Sequence, residues 1–95
     1  MVKSAQTVDI LEGLRVRLMS KISREERVTN LLRDGFLEGD IEFDNAHRRE
    51  VEAANRFREC ASFACAILNC TMDELDEALR EYAGMDEWEY KFYVH

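Results

Sequence analysis

Carboxylates crowd the last quarter of this 95-residue chain. Residues 71–90 carry Asp73, Glu74, Asp76, Glu77, Glu81, Asp86, Glu87 and Glu89 against a single cation, Arg80. At roughly 100° per residue, Glu74, Glu77 and Glu81 share one helical face at i, i+3 and i+7. Such a row has two chemical uses. With a second carboxylate set from another helix it holds magnesium against phosphates. Alone, it is a negative surface. Tyr82, Trp88 and Tyr90 are interleaved with these acids, and that combination suits a basic protein, because charge speeds encounter while aromatics supply the anchors.

Nucleophilic catalysis has little to draw on. The only histidines are His47 and His95, and Cys60, Cys65 and Cys70 lie in an apolar run with no evident base to generate a thiolate. At five-residue spacing on one helix, successive cysteines point about 140° apart. They are expected neither to pair nor to converge on a metal, but to be free thiols in a reducing compartment. No cofactor is expected.

Two patterns resemble known families. Glu74-x-x-Glu77 is similar to the first carboxylate pair of all-helical nucleotide pyrophosphohydrolases, which implies a magnesium site completed by a second Glu-x-x-Asp. No such second pair occurs here. The run Ala64-x-x-x-Leu68-Asn69-Cys70-Thr71-x-x-x-Leu75-x-x-Ala78-Leu79 resembles a helix-turn-helix core over about sixteen residues. That resemblance implies a second helix in the major groove, its N-terminal residues beside phosphates. Those positions are Asp73, Glu74, Asp76 and Glu77, which would repel the phosphates. DNA contact would fall instead to Arg48, Arg49, Arg56 and Arg58. Of these, Arg49 and Arg56 stand two turns apart near one face, while Arg48 and Arg58 diverge from it.

The reading favoured by the residues is a non-enzymatic binding protein. Asp73, Glu74, Glu77, Glu81, Asp86, Glu87, Trp88 and Tyr90 form its expected surface. The expected partner is a basic, nucleic-acid-handling protein that it inhibits or regulates, as a phage or mobile element does to host machinery. A helix-turn-helix-like transcriptional regulator is the alternative.

These residues need elements to position them. With no proline and four glycines, long helices meet few breakers, and an all-α bundle of about four helices is expected. Phe57–Cys70 is its centre, uncharged from Cys60 onward. A helix apolar all round is surrounded by other elements or by a second chain, so a homodimer through 57–70 is expected. The first helix runs to about Ile22 on Val8, Ile10, Leu11, Leu14, Leu18, Met19 and Ile22. Arg15 lies within that apolar arc, its stem covering apolar surface or its guanidinium pairing with a carboxylate. Ser23-x-x-Glu26 reads as a capping box, so a second helix follows, carrying Val28, Leu31 and Leu32 and stopping at Asp34-Gly35. The result is a helical hairpin over about 5–34. A long central helix over 45–69 starts at Asp44 or Asn45 and ends at Asn69. Thr71-x-x-Glu74 boxes the start of a fourth helix over 72–83, which Gly84 closes.

Two segments read as non-helical. Residues 36–43 alternate acids with other residues, a solvated loop or edge strand whose spacing fails the calcium-loop pattern. Trp88, Tyr90, Phe92 and Val94 alternate with Glu89, Lys91, Tyr93 and His95, a strand-like period. A minor two-stranded element pairing 36–43 with 88–94 is the one β feature the pattern allows.

Charge and hydropathy exclude other classes. The net charge is −7, and it resides in the acidic C-terminal segment, which opposes nucleic-acid binding there. No run approaches membrane-spanning length, and no secretory signal is visible at the start. A cytoplasmic protein is expected.

Overall fold

The computed structural model describes residues 4–94. Four helices and no strand form among them: α1 (Ala5–Arg33), α2 (Ile41–Leu68), α3 (Met72–Ala83) and α4 (Glu87–Val94). None is long and apolar enough to cross a membrane. The all-α bundle expected from the sequence is therefore the fold. His95, placed in the strand-like tail, and the start of the N-terminal segment lie outside the described residues.

The hairpin of the fold is α1 against α2, not a pair of helices within 5–34. Ser23 does not interrupt α1, which runs unbroken to Arg33. Its buried seam, Leu11, Leu14, Leu18, Lys21, Val28 and Leu31, advances by threes and fours with one seven-residue step from Lys21 to Val28, the period of helices packed nearly parallel to a neighbour. On α2 the seam is Ala46, Phe57, Ala61 and Ala64. Continuous packing across residue 23 outweighs a local capping preference there. The two long helices give the molecule its 47 Å length, close to the ~44 Å of a 29-residue helix at about 1.5 Å per residue.

Local chemistry sets the other ends. The Ser4 hydroxyl accepts the Thr7 N–H at 3.2 Å and starts α1. At its far end Gly35 takes φ +93°, while the Phe36 N–H donates to the Leu31 carbonyl and the Gly35 N–H to that of Leu32. This paired closure is the Schellman arrangement, so the expected stop at Asp34-Gly35 holds. Phe36 then packs with Phe43 on Val28, Leu31 and Ala46, closing the turn end.

The expected β element does not form among the described residues. Residues 37–40 make a tight turn in which Asp40 accepts the Leu37 N–H at 2.7 Å and Asp44 accepts the Gly39 N–H at 3.2 Å. Glu42 and Asp44 occupy the first turn of α2, where the helix dipole favours negative charge. The acidic alternation is thus a helix start at Ile41, four residues before the position expected at residue 45. In the tail, Asp86 accepts the Glu89 N–H at 2.8 Å and Glu89 accepts the Asp86 N–H at 3.4 Å. This reciprocal box opens α4. Its inward residues, Tyr90, Tyr93 and Val94, follow helical rather than alternating spacing.

The main core gathers at the opposite end from the turn. Leu11, Leu14 and Leu18 meet Phe57, Ala61 and Ala64, and α3 adds Leu75 and Leu79 while α4 adds Tyr90. Thr71 and Glu74 form the expected capping box, and Asn69 and Gly84 take the left-handed caps. Lys21 is buried in the seam, where its Nζ donates to Glu25 and to the Tyr93 carbonyl, pinning α4 onto α1. The central helix is not covered on all sides. Phe63 and Ile67 remain 69 % and 59 % exposed beside a shallow apolar hollow lined by Ile10, Gly13 and Cys60.

Candidate functional site

Fold and surface divide the acidic residues between them. Glu74 is committed to the α3 capping box, which, through the Thr71 backbone and hydroxyl, draws its carboxyl below the usual range. Asp86 is committed to the α4 box. Glu87 pairs with Lys91 at 3.4 Å, and Glu81 lies 4.0 Å from Arg80. Asp73 and Glu77 enter no ion pair or hydrogen bond among the described residues. Of the three glutamates on one face, Glu77 and Glu81 are the more available; with Glu74 they line a groove of about 520 Å³ whose facing wall is Thr7, Val8 and Leu11 of α1. That wall supplies no carboxylate. Among the described residues, no three His, Cys, Asp or Glu side chains converge as a metal site.

The aromatic residues divide in the same way. Tyr90 is buried at 5 % exposure, and its Oη donates to Asp76 at 2.7 Å. Burial, and then that carboxylate, push the phenol far above its ordinary range. Tyr90 therefore belongs to the core and presents no anchor to a partner. Trp88 is 85 % exposed and Phe92 77 % exposed. One turn apart, they share the outer face of α4. Phe92 was not in the expected surface; it joins Trp88 there, and Tyr90 leaves it, because 87–94 is a helix, for which the Asp86-x-x-Glu89 box was the signal.

Tyr82 is turned to the fold as well. Its Oη donates to Glu12 Oε2 at 2.6 Å, and Glu12 also receives Arg15 through two bonds of 2.9 and 2.6 Å. Arg15 thus pairs with a carboxylate one turn away, the more specific of its two expected roles. The guanidinium first and the Tyr82 hydroxyl second hold the Glu12 carboxyl down at about 2.

The cysteines are free, as expected, but half-buried rather than buried, and their geometry differs from the helical one. Because α2 ends at Leu68 with Asn69 left-handed, Cys70 leaves the helix and its N–H donates to the Cys65 carbonyl at 3.1 Å. The 140° separation therefore does not apply to this pair. Burial, and then the neighbouring Cys70, push the Cys65 thiol upward, away from thiolate chemistry.

The four expected DNA-contacting arginines separate. Arg48 leans toward Glu52 at 4.0 Å, and Arg58 donates to Asn55 at 3.3 Å. Arg49 and Arg56 instead line a hollow of about 450 Å³ with Arg17, Ser20 and Arg24 of α1, and with Glu52 and Ala53 of α2. A second hollow continues it toward the turn, sharing Arg24 and Arg49 and adding Arg27. Arg17, Arg24 and Arg27 were missed because the expected break at Ser23 separates Arg17 from the other two. Comparison with known proteins finds no matching family model, no matching curated sequence and no matching solved structure.

Proposed function

We propose that this protein is a non-enzymatic inhibitor or regulator that acts in the cytoplasm by binding a basic, nucleic-acid-handling protein through its α3–α4 end. The observation that carries the reading is the exposed pair Trp88 and Phe92 on α4, a helix that shares a hollow with Asp73, Asp76 and Glu77 of α3, where its own Glu87 joins them and Arg80 and Lys91 are the only cations. Exposed large aromatics are costly unless something covers them, and acids around them select a basic partner and speed its approach. Such a surface offers the partner's nucleic-acid groove the charge pattern of phosphates, and occupying that groove inhibits. Against a phosphohydrolase stand the commitment of Glu74 to a cap and the carboxylate-free wall opposite Glu77 and Glu81. The reading includes self-association through Phe63 and Ile67, which a second copy would cover.

The test begins with immobilised wild-type protein in nuclease-treated extract of its native cell. A basic protein should be retained by the wild type and lost by Glu77→Lys/Glu81→Lys. The purified partner should bind Trp88→Ala about 30-fold more weakly, the effect of losing one hot-spot residue. Its own nucleic-acid binding should fall as wild-type protein is added. A partner whose nucleic-acid binding is untouched at saturation sinks the inhibitor reading; equal retention by wild type and charge-reversed variant sinks the acidic surface.

A further inference from the structure

We propose that the α1–α2 hairpin carries a separate site for the phosphate backbone of duplex nucleic acid, built from Arg17, Arg24, Arg49 and Arg56 with Arg27 at its edge. The site is independent of the acidic end and of the reading given to it.

Its geometry follows from two unbroken helices. Arg17 and Arg24 are seven residues apart on α1, as are Arg49 and Arg56 on α2, so each pair is two turns and about 10.5 Å apart on one face. The antiparallel pairing sets Arg24 beside Arg49 in both hollows. Packed helix axes lie about 8–10 Å apart, so the backbone positions of the four arginines stand near the corners of a square roughly 10 Å on a side. That is the scale of the roughly 12 Å major groove of B-form DNA, so the two rows can reach phosphates on both strands.

Charge and chemistry favour this occupant. None of the five arginines enters an ion pair or hydrogen bond among the described residues, in a chain with 20 acidic side chains available to neutralise them. Guanidinium groups recognise phosphate through paired N–H donors. Glu52 and Glu42 at the edges reduce the positive charge but leave it net positive. The lining otherwise offers Ser20, Ser23, Asn45, Ala46 and Ala53, with no aromatic or large apolar side chain. A protein partner would lack an anchor there, whereas backbone recognition of nucleic acid requires none.

The acidic end does not cancel the site. Along α1 from Thr7, which faces Glu74 and Glu77, Arg17 lies ten residues away, about 15 Å, and Arg24 seventeen, about 25 Å. These are about two and three times the ~8 Å screening length of physiological salt.

The test is fluorescence anisotropy of a labelled duplex of about 20 base pairs and mixed sequence, titrated with full-length protein over a range of salt. Four phosphate contacts predict a slope of log K against log salt near −4, at about −0.9 per contact. Arg24→Gln/Arg49→Gln should weaken binding at least tenfold at low salt and reduce the slope by about 2. Arg33→Gln, at the exposed end of α1, serves as the control and should change little. Unaltered melting of the variants shows that the fold persists. No binding at low salt, or binding that the double variant leaves intact, overturns the site. Competition by poly-glutamate as effective as by DNA would assign the face to an acidic protein instead, and so overturn the proposal.

Discussion

Tyr82 near the end of α3 donates a 2.6 Å hydrogen bond to Glu12 on α1, across 70 residues of sequence. Arg15 completes a three-membered cluster with the same carboxylate. The bond fastens one edge of α3 to α1 while Leu75 and Leu79 fill the space beneath.

The cluster links stability to acidity. Glu12 has an ordinary value of 4.5 and is held at about 2 in the fold. Its folded pKa is depressed, so the contribution is complete above about 4.5, declines as the unfolded chain takes up the proton, and is lost as pH falls through about 2. Glu12→Gln should therefore melt below the wild type at neutral pH, with the gap closing between about 4.5 and 2. Melting curves across that range check it. A gap independent of pH would mean that ionised Glu12 contributes nothing through these bonds.

Leu79 is 1 % exposed in the main core, where it holds α3 against the long hairpin. Leu79→Ala removes buried methyl groups and leaves a cavity, and should cost about 2–5 kcal/mol. Urea unfolding should show a lower midpoint with an unchanged slope. A loss under 1 kcal/mol would mean that α3 collapses easily into the space.

Phe63 stands beside a hollow containing Gly13, whose missing side chain would meet nothing within 4 Å. A protruding ring next to a shallow recess on one surface is the self-complementary arrangement a two-fold dimer requires. Wild-type protein should associate with rising concentration in sedimentation equilibrium, and Phe63→Glu should remain monomeric with its melting little changed. A wild type that stays monomeric at high concentration removes self-association from the proposed function.

Much of this organisation was legible in the sequence because it depends on short-range chemistry. The stop at Asp34-Gly35, the Thr71/Glu74 box, the left-handed Asn69 and Gly84, and the apolar positions Leu11, Leu14 and Leu18 all follow from caps and spacing. The acidic character of residues 71–90 needs no coordinates.

Other features came from packing between distant segments. Ser23 could have capped a helix, yet the seam along α2 carries α1 straight through it. Lys21 sits in that seam, and its burial is satisfied by Glu25 one turn on and by the Tyr93 carbonyl that α4 brings in. Aromatic alternation in the tail reads as a strand until the main core takes Tyr90 and leaves Trp88 and Phe92 outside. The arginine face depends on the same difference. Arg49 and Arg56 could be placed together from one helix, but Arg17 and Arg24 join them only when α1 is continuous and antiparallel to α2. Periodicity determines which residues share one helix face, whereas the register between two helices is set by how their side chains fit.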